Sequence, residues 1–166
     1  MDGVDVLLTA DRTLMSNHHG KEFLGFATSA PPNWLPEWFF RYLFFPKMKE
    51  KNGLPWQAPY GLRKIEAKLI DEGIDALVVD PDSLARYRAR MIGIYVMDPF
   101  GWGPSSTTFA GIMKTGEPYL AKYFKKLLES KGYKKLKDEG AKTIVGGPGT
   151  WQFRYCLLYT SPSPRD

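Results

Sequence analysis

The sequence predicts a three-layer α/β domain with a mostly parallel sheet, and two observations support this. Short apolar runs alternate with amphipathic stretches along the chain, the order in which strands and crossover helices follow one another. The 166 residues are 43% hydrophobic and 25% charged, the composition of a folded domain of ordinary size. This composition argues against a disordered, fibrous or membrane-spanning chain.

The apolar runs predict four strands. They are Val4–Ala10, 76–79, 91–97 and 143–145. Before the second run, Leu62, Ile65 and Leu69 recur at helical spacing, and Gly73 is placed to end the helix. Strand, helix and strand therefore follow one another as a crossover unit.

Two further helices are predicted, one on each side of the third strand. Asp82 or Ser83 is placed to cap a short helix before that strand. After it comes an amphipathic helix whose lysine-bearing face we interpret as solvated. Its apolar stripe is predicted to join the core and consists of Tyr119, Leu120, Tyr123, Phe124, Leu127 and Leu128.

Residues 31–59 are too many for a minimal crossover, so they form an insert in this prediction. Seven aromatic residues fall within the segment 34–45. The segment also holds Glu37 and Arg41 and is too short and too charged to span a bilayer. We interpret the insert as a lid. A wall for an apolar substrate and a shallow membrane contact through 34–45 stay open as alternatives.

Charge and cysteine content restrict the partners. The net charge of +5 is small and dispersed, so nucleic acid is not expected as a partner. The one cysteine can form neither an internal disulfide nor, alone, a zinc or iron–sulfur site. No positive stretch followed by an apolar run opens the chain, which predicts a cytoplasmic protein.

The end of the chain differs in character from the rest. Residues 156–166 (CLLYTSPSPRD) match the translation of a transposase-type sequencing adaptor. We therefore expect a natural domain of 1–155 that is incomplete at its C-terminus, followed by a non-native tail at 156–166. A genuine Ser/Pro tail is the alternative.

Polar residues and glycines follow the predicted strands. They are Asp11, Asp80, Asp98, Gly146, Gly147 and Gly149. Because the carboxyl ends of parallel strands share one edge, these residues predict a ligand crevice there. The carboxylates could hold a metal, accept hydrogen bonds from a ligand or cap helices, and capping is favoured for Asp80. The glycines either let a bulky ligand approach the backbone or form a plain turn.

The loop 98–108 is predicted to form the other wall of that crevice. Its prolines limit its freedom, and its glycines permit tight turns. Gly101 permits a tight turn beside Trp102, which with Phe100 offers flat apolar surface. Ser105, Ser106 and Thr107 offer hydroxyl donors. In the alternative, the aromatic residues bury against the insert.

Three segments together carry a family resemblance. They are 6–16 (VLLTADRTLMS), 92–106 (IGIYVMDPFGWGPSS) and 141–149 (AKTIVGGPG). They resemble the cobalamin (vitamin B12)-binding domain that precedes the catalytic barrel of archaeal radical SAM proteins.

The resemblance implies a flavodoxin/Rossmann-like fold with a corrinoid at the strand ends. It also implies methyl transfer or related radical chemistry on a small or apolar substrate. A missing barrel domain would hold a 4Fe-4S cluster and S-adenosylmethionine.

One departure from that family concerns the lower ligand of cobalt. Many cobalamin domains supply a histidine from an Asp-x-His-x-x-Gly loop, which this chain lacks. It has Asn17, His18, His19 and Gly20 in the corresponding loop. Either histidine could bind cobalt. In the alternative the loop is merely polar, and relatives of the radical SAM type hold cobalamin without a protein ligand.

Two other functions remain open. Asp11 and Asp98 resemble the acidic pocket of phospho-acceptor receiver domains, although only one acid follows the first strand here and the loop 99–104 replaces a short helix entry. A family member that has lost cobalamin could also keep the fold as a docking domain.

Overall fold

The computed structural model describes residues 3–160, so 161–166 of the adaptor-like tail lie outside the described residues. The strands are β1 Val4–Ala10, β2 Glu50–Lys51, β3 Leu54–Pro55, β4 Ala76–Val78, β5 Ala89–Tyr95 and β6 Lys142–Gly146. The α-helices are α1 Glu37–Phe44, α2 Tyr60–Asp71, α3 Pro104–Met113, α4 Tyr119–Glu129, α5 Lys131–Asp138 and α6 Trp151–Thr160. The 3-10 helices are His18–Gly20, Glu22–Ser29, Pro81–Arg86 and Pro148–Thr150.

The main sheet has the order β4-β1-β5-β6, and all of its pairs are parallel. Leu8 of β1 lies opposite Val78 on one side and Gly93 on the other. From β1 the chain therefore goes first to β4 on one side of it and then to β5 on the other side. This is the strand order of a doubly wound sheet, with the switch point between β1 and β5. The predicted α/β fold with a parallel sheet is confirmed.

Helices cover both faces of the sheet. On one face, Leu7 and Ile92 pack in a core with Phe124 of α4 and Leu136 of α5. On the other face, Leu8 packs in a second core with residues of α2. Because both faces of β1 are buried, its sequence is a continuous apolar run rather than an alternating one. The result is a three-layer arrangement.

The predicted short helix before β5 begins earlier than expected. It is the 3-10 helix Pro81–Arg86, and the backbone N–H of Asp82 donates to the Asp80 side chain at 3.0 Å. Asp80 is therefore the cap, so the capping role favoured for Asp80 is confirmed and the prediction of Asp82 or Ser83 was wrong. Pro81 suits the first position of this helix, because an N–H in the first turn has no acceptor within the helix and proline lacks that N–H.

The segment between β1 and α2 runs across the carboxyl edge of the sheet. Within it, Phe40 of α1 is 1% exposed and packs edge-on against Tyr119 of α4, with ring centroids 4.9 Å apart. The hairpin of β2 and β3 reaches the end of β4, where the N–H of Asp80 donates to the carbonyl of Gly53 at 2.9 Å. The aromatic residues of the insert thus supply a third hydrophobic cluster.

Within residues 3–160, no helix combines the length and apolar character that crossing a bilayer requires.

Candidate ligand site at the carboxyl edge of the sheet

The three acids that follow the strands are all buried at one edge. Asp11, Asp80 and Asp98 are 2%, 0% and 5% exposed. A buried carboxylate needs hydrogen-bond donors or a cation. Each acid finds a different set of partners, so the edge is a row of separate contacts rather than one acidic pocket.

Asp80 is paired with Arg12, a residue that the sequence reasoning did not select. Nη1 and Nη2 of Arg12 donate to Oδ2 and Oδ1 of Asp80 at 2.8 and 2.5 Å. Nη2 also donates to Oδ2 of Asp82 at 2.7 Å. The signal for this site is an arginine soon after an apolar strand, because a buried guanidinium must meet a carboxylate.

Asp11 accepts hydrogen bonds from its own turn. Its Oδ1 receives the backbone N–H of Thr13 at 2.8 Å and the Thr13 hydroxyl at 2.5 Å. Burial raises the pKa of Asp11 to about 6, despite these bonds and the nearby charge of Arg12. Its carboxyl group can therefore hold or release a proton close to neutral pH.

Asp98 organises the loop that follows β5. Its Oδ1 accepts from the Gly103 N–H at 2.9 Å and from Nε2 of Gln152 at 2.6 Å. Its Oδ2 accepts from the hydroxyl of Ser106 at 2.5 Å, and Ser106 is fully buried. The ligand-facing roles predicted for Asp98 and Ser106 differ from what this geometry shows, because these side chains bond to one another.

The two aromatic residues of the same loop contact each other, with ring centroids 5.5 Å apart, but differ in exposure. Phe100 packs against Phe124 of α4 and Phe153 of α6, so it does not bury against the insert. Trp102 is 43% exposed and retains a free face. Gly101 has a φ of +71°, which a glycine adopts without strain. Ser105 lies half-buried at the start of α3.

The glycines after β6 serve two different purposes. A Cβ at Gly147, which has a φ of +112°, would lie 2.5 Å from the Val96 carbonyl oxygen. A Cβ at Gly149 would lie 2.5 Å from the Met97 carbonyl oxygen. Glycine is therefore required at both positions, because the backbone after β6 lies too close to the backbone after β5 to leave room for a side chain. Gly146 has open space around the position of a Cβ, so it alone of the three leaves room for a ligand.

The two histidines predicted to bind a metal, His18 and His19, instead contact backbone carbonyls near the end of α1 and so connect the loop after β1 to that helix. Nδ1 of His18 lies 2.6 Å from the Phe44 carbonyl oxygen, and Nε2 of His19 lies 2.8 Å from that of Tyr42. Carbonyls at the end of a helix lack partners within it, and the imidazoles supply donors. A Cβ at Gly25 would lie 3.0 Å from the His18 Nε2, so that nitrogen is packed against the chain.

Residues 3–160 contain no group of three or more His, Cys, Asp or Glu side chains that could together hold a metal ion.

An apolar cleft of about 210 Å³ opens beside the sheet, next to Gly146. It lies between α2 and the strands β5 and β6, and its residues include Leu62, Ile65, Leu69, Gly93 and Ile144. Ile144 is 53% exposed and Ile65 is 46% exposed, which is unusual for isoleucine. Sequence reasoning placed these residues in a helix or strand but did not bring them together.

Comparison with protein-family models, curated proteins and solved structures finds no match for this chain. The resemblance to cobalamin-binding domains therefore rests on the three sequence segments alone. What the site binds must be argued from its geometry.

The residues present fit one part of a cobalamin better than another. The cleft beside Gly146 is apolar and has a volume of about 210 Å³, which suits a flat base such as the cofactor's benzimidazole. The carboxyl edge above β1 is less suitable, because the insert crosses it and Asp11 is 2% exposed there. Nε2 of His18 is packed against Gly25 and does not fit the role of lower ligand.

Proposed function

We propose that this chain is a cobalamin-binding α/β domain, working in the cytoplasm beside a radical SAM barrel that belongs to the same protein. The parallel order β4-β1-β5-β6 and the family resemblance support the class of domain. The single observation that carries the proposal is the cleft at Gly146, where the end of β6 opens onto an apolar slot beside the sheet.

In this proposal the side chains of the cleft exclude water from a flat aromatic base. Leu62 and Leu69 form one wall on α2, and Ile144 forms the other on β6. Burial of the exposed isoleucine surface would supply the driving force, since apolar area contributes about 25 cal/mol per Å² removed from water. The cofactor would supply methyl transfer or related radical chemistry when bound.

The proposal includes no lower ligand from the protein. His18 and His19 each face a backbone carbonyl with one nitrogen, and the second nitrogen of His18 is packed against Gly25. We therefore expect the His19→Ala variant to bind hydroxocobalamin with an unchanged absorption spectrum. A shift of the bound spectrum in this variant would restore the histidine as a ligand.

Reconstitution with hydroxocobalamin tests the proposal directly. The purified protein should keep a corrinoid spectrum after desalting. Gly146→Leu should lose it while far-ultraviolet circular dichroism stays native, because a Cβ at this position meets no atom within 4 Å and the longer side chain extends into the open cleft. Gly111→Leu on α3 is the matched control, since a Cβ there also meets nothing within 4 Å.

Failure of the wild-type protein to retain the corrinoid would overturn the proposal. Equal retention by the Gly146→Leu and Gly111→Leu variants would remove the cleft from it. The proposed barrel is tested separately, by sequencing the gene beyond codon 155. A Cys-x-x-x-Cys-x-x-Cys motif is expected there.

One observation favours a second candidate, a docking domain without cofactor. The insert crosses the carboxyl edge, and the acids beneath it are bound to protein groups. A folded protein that retains no corrinoid would support this candidate. A phospho-acceptor role has less support, because both carboxylate oxygens of Asp98 accept hydrogen bonds from the protein.

A further inference from the structure

A second cavity, of about 200 Å³, lies at the same edge but on the opposite face of the sheet from the apolar cleft. It is enclosed by the end of β1, by α1 of the insert and by α4. Three cations line it, namely Arg12, Arg41 and Lys126, together with one acid, Asp82. Asp80 and Glu37 lie outside this lining and pair with Arg12 and Lys126, so the attraction of the cavity for an anion rests mainly on Arg41.

Arg12 is the buried cation of this cavity. It is 4% exposed, and its two Nη atoms are hydrogen-bonded to Asp80, Asp82 and the Met15 carbonyl. Its Nε is buried and has no hydrogen-bond partner among the described residues. That N–H is closed to solvent, so Arg12 contributes its positive charge to the cavity rather than this N–H.

Arg41 is the cation that the rest of the protein leaves least neutralised. Its guanidinium carbon lies 5.7 Å from the centre of the Tyr123 ring. Within residues 3–160 it forms no salt bridge, whereas Lys126 is paired with Glu37 at 2.5 Å. Arg41 is therefore available to bind an anion.

We propose that this cavity binds a phosphate group, either as inorganic phosphate or as a phosphomonoester. Guanidinium groups match phosphate oxygens in charge and geometry, and two of them converge here with a lysine. The volume is below the range of about 300–1,000 Å³ that is typical of pockets for larger ligands. The cavity lies on the opposite face of the sheet from the apolar cleft, so phosphate binding does not depend on corrinoid binding.

A phosphate at this position would join three parts of the fold. Arg41 belongs to the insert, Arg12 to the end of β1 and Lys126 to α4. A ligand that binds only the folded arrangement stabilises it in proportion to its concentration. Phosphate is thus expected to fasten the insert over the edge of the sheet.

The experiment measures the Kd of inorganic phosphate and of methyl phosphate by calorimetry, and the melting temperature with each, at constant ionic strength set by sodium chloride. The relative affinity of the two ligands distinguishes free phosphate from a monoester. Arg41→Gln should weaken binding about tenfold or more, the scale of a lost charged hydrogen bond. Arg90→Gln, which changes the net charge equally at a side chain that is 87% exposed, is the control and should bind normally.

Asp82→Asn should have the opposite effect. Its carboxylate is 56% exposed and lies 2.7 Å from Nη2 of Arg12, so it competes with an incoming anion. Removing that charge should tighten phosphate binding severalfold. Absence of binding to the wild-type protein overturns the proposal, as does equal weakening by Arg41→Gln and Arg90→Gln or weaker binding by Asp82→Asn. If Arg41→Gln fails to fold, Lys126→Gln takes its place.

Discussion

Arg12 and Asp80 form a buried pair in which both Nη atoms of the arginine contact both carboxylate oxygens of the aspartate, at 2.8 and 2.5 Å. The two residues are separated by 68 positions in the chain. They follow β1 and β4, so the pair joins two neighbouring strands beyond the end of their ladder. Asp80 also caps the 3-10 helix that begins at Pro81, which joins a third element to the same contact.

Removing the arginine from this pair should destabilise the protein strongly. In Arg12→Leu the buried Asp80 carboxylate keeps only the more distant Lys47, at 3.9 Å, and we expect a loss of about 3–5 kcal/mol in the free energy of unfolding. Urea denaturation measures this value. Arg90→Leu breaks a salt bridge with an 87%-exposed arginine and should cost about 1 kcal/mol or less. Equal losses in the two variants would contradict the structural role of the buried pair.

Asp11 should make stability depend on pH between about 4 and 6. Burial raises its pKa to about 6 in the folded protein, above the ordinary value of 3.8. The folded state therefore binds the proton more tightly, and its contribution to stability is present below pH 4 and lost as the pH rises to 6. In Asp11→Asn this loss, roughly 3 kcal/mol, should be absent.

The measurement for Asp11 is the free energy of unfolding of both proteins at intervals between pH 4 and pH 7. The variant should gain stability relative to the wild-type protein as the pH rises. Parallel curves for the two proteins would show that Asp11 titrates normally.

Glu37 should hold the insert against α4. Burial disfavours its charge, but hydrogen bonds from Lys122, Lys126 and Tyr123 outweigh this and lower the pKa of Glu37 to about 2. Its contribution to stability is therefore present above about pH 4.5 and lost as the pH falls towards 2. Glu37→Gln should increase proteolysis of the insert at neutral pH.

Glu72→Gln is the control for Glu37, because its salt bridge with Lys68 is exposed on both sides. We expect this variant to match the wild-type protein in the rate of proteolysis. A similar rate for Glu37→Gln would show that the insert is held by its aromatic contacts alone.

Two adjacent glycines should respond differently to the same substitution. Gly147→Ala places a Cβ 2.5 Å from the Val96 carbonyl oxygen at a positive φ, so we expect a loss of about 2 kcal/mol or more. Gly146→Ala meets no atom within 4 Å and should change stability little. Thermal unfolding of the two variants measures the difference. Equal melting temperatures would contradict the close approach of β6 to the end of β5.

The framework of this fold could be predicted from the sequence, because strands buried on both faces need continuous apolar runs such as Val4–Ala10. The positions of Asp11, Asp80 and Asp98 at one edge followed from parallel topology. The structure confirms the parallel sheet and its helical layers. Corrinoid binding stays a prediction.

The ion pairs between the insert and α4 could not be predicted. Glu37 and Lys122 meet across 85 residues of chain, and nothing local indicates that they will. The sequence pattern predicts a solvated face for the lysines of α4, yet Lys122 and Lys126 both bind Glu37. The path of the insert, which decides these contacts, depends on aromatic packing that has no sequence period.

The position of β1 at the middle of the sheet also has a consequence for synthesis on the ribosome. β1 is the first of the strands to leave the ribosome. The hydroxyl of Thr9 donates to the carbonyl of Val79, which is synthesised 70 residues later. The two strands that pair with β1, β4 and β5, are also synthesised after it. Until then its apolar residues have no sheet to join. Contacts between such distant segments form slowly. A nascent chain of this protein therefore exposes an unpaired apolar strand for a time on the order of seconds at ordinary rates of translation.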